Sequence, residues 1–171
     1  LGDVYKRQLQ NRGGKGVIGT GQKNEDPVKI LKTCNAHDTL MFFMNNGRVY
    51  VQKAYEIPEG SRISKGRNII NFLDMQKDEI VSAVIPIDSF ESDESLVLCT
   101  QKGVVKKTKI SAYKNHRKGG IIGINIDDGD SVLQALRANS SDHLLILTRN
   151  GKGLRFSCDQ LRDQGRVTRG V

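Results

Sequence analysis

The chain has no tryptophan, only 5% aromatic residues, and three each of proline, cysteine and histidine in 171 residues. Hydrophobic residues make up 37% of it, enough for a core but low for an enzyme with a deep apolar pocket. Cys34, Cys99 and Cys158 are odd in number and far apart, with no C-x-x-C pair, so neither a disulfide framework nor a zinc site is readable. His37, His116 and His143 lack neighbours at metal-ligand spacing. No apolar run reaches the length of a membrane span or a signal-peptide core, so a soluble intracellular protein is expected. Ser61, Ser64, Ser82 and Ser111 have no evident His–Asp partnership, and the carboxylates cluster in turns rather than as isolated pairs in apolar surroundings. No catalytic, cofactor-binding or metal-binding residue is assigned.

Positive charge is abundant. Lysine and arginine number 27 against 19 acids, a formal net charge of +8, which makes a polyanion the first partner to test. The opening "LGDVYKRQ" reads as a non-native scar over residues 1–8, and the natural protein is expected to extend upstream.

A period of about fifty residues runs through the rest. The runs "LMFFMNNGRVYV", "LVLCTQKGVVKK" and "LLILTRNGKGLRF" each read as a hairpin, with turn glycines at Gly47, Gly103 and Gly151, 56 and 48 residues apart. Asn46-Gly47 and Asn150-Gly151 suit a two-residue turn in which both residues adopt positive φ. Basic glycine loops recur in step as "NRGGKGVIG", "SKGRNIINF", "RKGGIIGIN" and "DQGRVTRGV"; Val28, Val81 and Leu133 mark the strands that follow the first three. Four short strands per fifty residues is the pattern of a β-propeller blade. The expected fold is all-β: a partial β-propeller or β-pinwheel of four-stranded blades, cut from a larger ring. Its parts are a half blade at 9–36, blades at 37–89 and 90–139, and a half blade at 140–171.

Charge follows the same period. Lys102, Lys106, Lys107, Lys109, Lys114, Arg117 and Lys118 fall within residues 101–125 without one acid, whereas residues 74–94 carry seven acids and one lysine. Bases on the second hairpin strand and glycine loop are therefore expected to form a continuous outer stripe.

The stretch "QNRGGKG" at 10–16 tests what the loops do. Gly14 to Gly19 spells G-x-G-x-x-G, but a dinucleotide site needs that motif between a buried strand and a helix, and "GTGQKNEDP" is a poor helix. The Walker pattern fails because Lys15 is followed by Gly16 rather than Ser or Thr. Glycines that let backbone N–H groups approach phosphate, flanked by Arg12 and Lys15, fit a grip on nucleic acid.

This stretch resembles the Q-R-R-G-G-K-G box of the C-terminal domains of bacterial DNA gyrase A. The hairpin and loop from His37 to Leu73, the basic "GVVKKT" strand and the closing "GRVTRGV" are similar to the same family, so the resemblance covers residues 9–171. Asn11 departs from it, standing where the family has a basic residue. The resemblance implies a six-bladed pinwheel that wraps double-stranded DNA around a basic rim, so that the holoenzyme introduces negative supercoils. ATP and Mg2+ are then used elsewhere in the holoenzyme, and this chain carries neither cofactor nor chemistry. Implied partners are the remainder of gyrase A and the gyrase B protein in a heterotetramer, in the bacterial cytoplasm and nucleoid, with no membrane. The candidate DNA-binding residues are Gln10, Arg12, Gly13, Gly14, Lys15, Gly16, Arg48, Lys65, Arg67, Lys106, Lys107, Arg117, Lys118, Arg155 and Arg166. Alternatives are the corresponding C-terminal domain of topoisomerase IV, whose box is degenerate, and a protein-interaction propeller, which would not need bases in phase around its outside.

Overall fold

The computed structural model describes residues 27–61 and 64–171. The box residues Gln10, Arg12, Gly13, Gly14, Lys15 and Gly16 lie outside the described residues. The chain divides into two compact units, residues 1–28 with 58–68, and residues 29–57 with 69–171. Of the first, the described part holds a turn in which the Ser64 N–H and hydroxyl donate to the Ser61 carbonyl at 2.9 and 2.7 Å.

The second unit is built from antiparallel strands joined by short 3-10 turns, with no α-helix among the described residues. Strands β1 (Thr39–Met44), β2 (Arg48–Lys53) and β3 (Val81–Ile87) form one sheet, β4 (Ser95–Thr100), β5 (Val105–Lys109) and β7 (Val132–Ala138) a second, and β8 (His143–Leu147) and β9 (Gly153–Ser157) a third. β1, "TLMFFM", is buried along its whole length, so it reads as a continuous apolar run rather than an alternating one.

The sheets repeat residue for residue. Phe42 faces Tyr50 across the first hairpin, Leu98 faces Lys106 across the second and Ile146 faces Leu154 across the third. The strand that follows each of the first two hairpins returns beside it with a register shift at one place, Phe43/Met44 in the first sheet and Cys99/Thr100 in the second. That shift pairs Val81 with Met44 and Val132 with Thr100. The residue in phase with Val81 is therefore Val132, not the expected Leu133.

The first two sheets also borrow an outer edge from farther along the chain. Short strand β6 (Ile121–Ile122) pairs with Arg48 and Val49 of β2. The end of the chain does the same for β5: Val171 and Val105 exchange both backbone hydrogen bonds, at 2.7 and 3.0 Å. A glycine loop thus completes the hairpin one repeat before its own.

Apolar packing holds successive sheets together. Met41, Phe43 and Val49 of the first sheet share a core with Ile85, Ile87, Leu96, Leu98 and Ala135. Val97 and Val105 of the second pack with Ala138, Cys158, Leu144 and Ile146. On the opposite face of the first sheet, Leu40, Phe42, Met44 and Tyr50 enclose Leu73.

The hairpin turns differ from the expected two-residue form. The Gly47 N–H donates to the Met44 carbonyl at 3.0 Å, as Gly103 does to Thr100 and Gly151 to Thr148. The glycine is thus the last residue of a four-residue turn, and it alone takes positive φ; no other residue type does so among the described residues. Asn46 contributes its side chain instead, accepting from the Arg48 N–H at 3.1 Å and donating to Glu79 at 2.9 Å.

Gly47 and Gly103 share a φ of +86°, but their surroundings differ. A Cβ at Gly47 would stand 2.4 Å from the Ile124 carbonyl oxygen, whereas one at Gly103 would meet nothing within 4 Å. G103A should therefore cost about 1–2 kcal/mol, the left-handed backbone penalty alone. G47A should cost clearly more, because a backbone carbonyl must also move. Equal urea midpoints for the two variants would refute this account of the junction.

Candidate nucleic-acid interface

Lys106 and Lys107 of β5 are not on an outer surface. β5 reads "VKKTK", and its first four residues are buried. Lys106 is fully buried, at 0% exposure. Its ammonium donates to the carbonyls of Gly123 at 2.6 Å, Arg166 at 2.5 Å and Gly165 at 3.2 Å, with Thr168 at 3.5 Å. Lys107 points to the opposite face, donates to the Cys158 carbonyl at 2.9 Å and lies 3.5 Å from Asp163. The expectation that Lys106 and Lys107 grip DNA from a rim is therefore corrected. Successive side chains of a strand face opposite ways, and here neighbouring segments cover both faces.

Arg155 is exposed, yet it occupies on β9 the register position that Lys107 holds on β5. Lys65 and Arg67 are exposed beside Gly66, and Arg117 and Lys118 are exposed just before Gly119-Gly120. The side chains of these four make no hydrogen bond or ion pair among the described residues. By contrast, Lys109 donates to the Asp93 carbonyl at 2.7 Å, and Lys114 pairs with Glu91 at 2.5 Å.

Arg48 and Arg166 come together with Arg117 around one groove of about 520 Å³, further lined by Asn115, Gly119, Gly120, Ile121, Ile122 and Val167. Arg166 donates to the Ile122 carbonyl at 2.6 Å. Arg48 donates to the Gly119 carbonyl, stacks 5.9 Å from the centre of the Tyr50 ring, and has its Nε 3.3 Å from Glu79.

Sequence reasoning does not find Glu79 as part of this site. It sits in the acidic turn "QKDEI", where the charge pattern suggests solvent, but it is 7% exposed. Its carboxylate accepts from Asn46, from the Tyr50 hydroxyl at 2.7 Å and from the Gln76 N–H at 2.8 Å. Burial alone would raise its pKa; the bonds from Asn46, Tyr50 and Gln76 and the Arg48 charge prevail and hold it below the usual carboxylate value. Burial, then the bond to Glu79, raises Tyr50. One signal is present in the sequence: an acid two residues before the strand recurs as Asp130 before Val132, accepting the N–H groups of Lys102 and Ser131.

Burial, with the Arg166 charge, pushes Lys106 down from 10.5 to about 8. Between those values the unfolded chain binds more protons than the folded one, so this group makes folding more favourable as pH rises. K106M removes the donor from the buried Gly123 carbonyl and the part-buried carbonyls of Gly165 and Arg166, and should cost about 1–3 kcal/mol at neutral pH. The stability gap between wild type and K106M should then widen from pH 8 to about 10.5. A gap that narrowed over that range, in urea titrations at each pH, would show that the carbonyls outweigh burial and keep the ammonium charged.

Comparison with known proteins places these features in a family. Residues 8–35, 38–88, 94–139 and 142–171 match the family described as DNA gyrase C-terminal domain, beta-propeller. The DNA gyrase A protein of Mycolicibacterium smegmatis is 44% identical over 171 residues, covering 99% of this chain and 20% of its own length. The chain thus spans about a fifth of that relative, and the alignment takes in most of the stretch 1–8 that reads as a scar. Among solved structures, a C-terminal domain of DNA topoisomerase IV is 28% identical with a TM-score of 0.70, over 80% of this chain and 42% of that one. A DNA gyrase A C-terminal domain covers 98% of this chain and 53% of its own at a TM-score of 0.69; at 23% identity it speaks to fold alone. The fold is a β-propeller, and the chain belongs to the family of DNA gyrase C-terminal domains.

Proposed function

We propose that this chain is the DNA-holding part of a gyrase A protein: it binds duplex through the phosphate backbone and bends it, so that the holoenzyme can introduce negative supercoils with ATP hydrolysed on gyrase B. On this reading the chain performs no chemistry, and its partners are duplex DNA and the rest of the gyrase heterotetramer in the bacterial cytoplasm. The observation that carries the proposal is the state of the glycine-loop cations. Arg117 and Lys118 stand exposed beside two glycines, with no carboxylate paired to either among the described residues. Lys65 and Arg67 are exposed in the same way beside Gly66.

Unpaired surface cations on an open backbone suit phosphate contacts, which give affinity without reading sequence. The box at Gln10 to Gly16 has the same composition, and we assign Arg12 and Lys15 the same role. Smoothly bending 20–30 bp by 40–90° costs on the order of 1–6 kcal/mol, so contacts must recur along the wrapped path. The contributing set is Arg12, Lys15, Lys65, Arg67, Arg117 and Lys118; Lys106 and Lys107 belong to the scaffold.

The test uses the full-length protein in its holoenzyme. Duplex affinity of the wild type should fall with log salt at a slope of about −0.9 for each phosphate contacted. R12A/K15A should bind DNA at close to normal affinity yet lose wrapping, read by topoisomer shift, and most ATP-driven supercoiling, while relaxation persists. Unchanged supercoiling in that double variant would reduce the box to a glycine-rich turn. Binding without salt dependence would refute the phosphate grip itself.

A further inference from the structure

We propose that the groove between Arg48, Arg117 and Arg166 is a seat for a single phosphodiester of the bound duplex, assembled from three successive repeats. The proposal rests on the DNA-holding reading above and says where one contact is made. Arg48 comes from the first hairpin, Arg117 from the loop after the second, and Arg166 from the loop after the third.

The charges do not cancel. Three arginines line the groove, and the one carboxylate ion-paired to any of them among the described residues, Glu79 beside Arg48, is buried and already accepts from Asn46, Tyr50 and the Gln76 N–H. Arg166 is held by a carbonyl, and Arg117 by nothing among the described residues. The Arg48 Nε–H is buried and, although near Glu79, makes no hydrogen bond. Like charges that share one groove favour an anion between them.

The groove is also accessible and fixed in shape. A Cβ at Gly119, one of the lining residues, would meet nothing within 4 Å, so the backbone there is open to a ligand. The walls are tied together: the Asn125 N–H donates to the Thr168 carbonyl at 3.0 Å, and the Asn125 side chain to Val167 at 3.2 Å. Guanidinium forks match the oxygens of a phosphate, and a seat with several such forks holds a phosphate by shape as well as charge.

A shared seat has a signature that separate contacts lack. In the full-length protein, fluorescence anisotropy of a labelled duplex across a potassium chloride series would be measured for R117A, R166A and R117A/R166A. The charge-matched control is K114A, whose side chain is paired with Glu91. The Arg117 side chain makes no hydrogen bond or ion pair among the described residues, and its backbone bond to the Gly120 N–H survives substitution, so R117A reads binding rather than folding. Each single variant should weaken the duplex several-fold, and K114A should not. The double variant should reduce the salt slope by about 0.9, the value for one phosphate. A reduction of about 1.8, twice the value for one phosphate, would assign the arginines to separate phosphates and overturn the shared seat. Single variants indistinguishable from K114A would overturn it as well. Pyrophosphate, added at matched ionic strength, should not displace duplex. If it did so from the wild type but not from R117A, the groove would be a free-anion site and the duplex assignment would fall. A wild-type protein that bound duplex without salt dependence would instead sink the underlying DNA-holding reading.

Discussion

One ammonium ion sits where three pieces of the chain meet. Lys106 leaves the middle of β5 and donates to a carbonyl in the loop of its own repeat, Gly123, and to carbonyls in the loop of the next, Gly165 and Arg166. Those carbonyls lie beside the residues that pair with the hairpins, Ile121–Ile122 and Val171, and the ammonium serves them from the side. An unpaired buried carbonyl costs about as much as a lost hydrogen bond, so the ammonium, with the Tyr113 and Thr168 hydroxyls that also donate to Gly123 and Gly165, favours this close passage of the glycine loops. The first hairpin solves the same problem differently. At the register position of Lys106 it has Tyr50, whose ring packs beneath the crossing loop and whose hydroxyl donates to Glu79. Two chemistries thus serve one geometric need, that of holding a borrowed edge strand against the preceding hairpin.

That solution divides the cations into two populations. Lys106 and Lys107 spend their charge on carbonyls and on Asp163, inside the protein, where a phosphate cannot reach them. Arg117 and Lys118 remain in water with nothing to neutralise them among the described residues. A formal charge of +8 overstates what is offered to a partner and hides where it is offered. Arg48 and Arg166 stand between the populations, each anchored at one end by a carbonyl and open at the other to the groove.

The repeat is legible in the sequence because its markers are local: an apolar run, a glycine at a fixed place in the turn, and a second run. Each is set by backbone sterics or by burial of one strand, and neither depends on distant residues. The placement of Lys106 and Lys107 is not legible from charge, because a lysine in a strand looks the same whether its face meets water or another segment. Alignment of the first two hairpins does hold the answer, since buried Tyr50 shares the register position of Lys106 and Val51 that of Lys107. In the first hairpin an apolar or aromatic residue at the same place is better evidence of burial than the charge is of exposure, whereas Leu154 and Arg155 of the third hairpin are exposed at those places. Glu79 escapes sequence reading for a related reason. A carboxylate in an acidic turn reads as solvated until its donors, Asn46 and Tyr50 from the neighbouring hairpin and the Gln76 N–H, are brought beside it.

Rigidity and grip are connected through this arrangement. A protein that bends DNA bears a load equal to the bending cost, on the order of 1–6 kcal/mol for a short site. If each repeat carried its own contacts on its own loop, that load would be borne by flexible glycine segments. Here the glycine loop that carries Arg117 is instead an edge strand of the preceding sheet, and Arg48 and Arg166 both donate to its backbone. A force applied to one arginine is therefore transmitted to two sheets through backbone hydrogen bonds and the Lys106 ammonium. On the proposed DNA-holding reading the buried lysines would serve only in this indirect sense: by fixing the loops, they keep the arginines in position against a polymer that resists being curved.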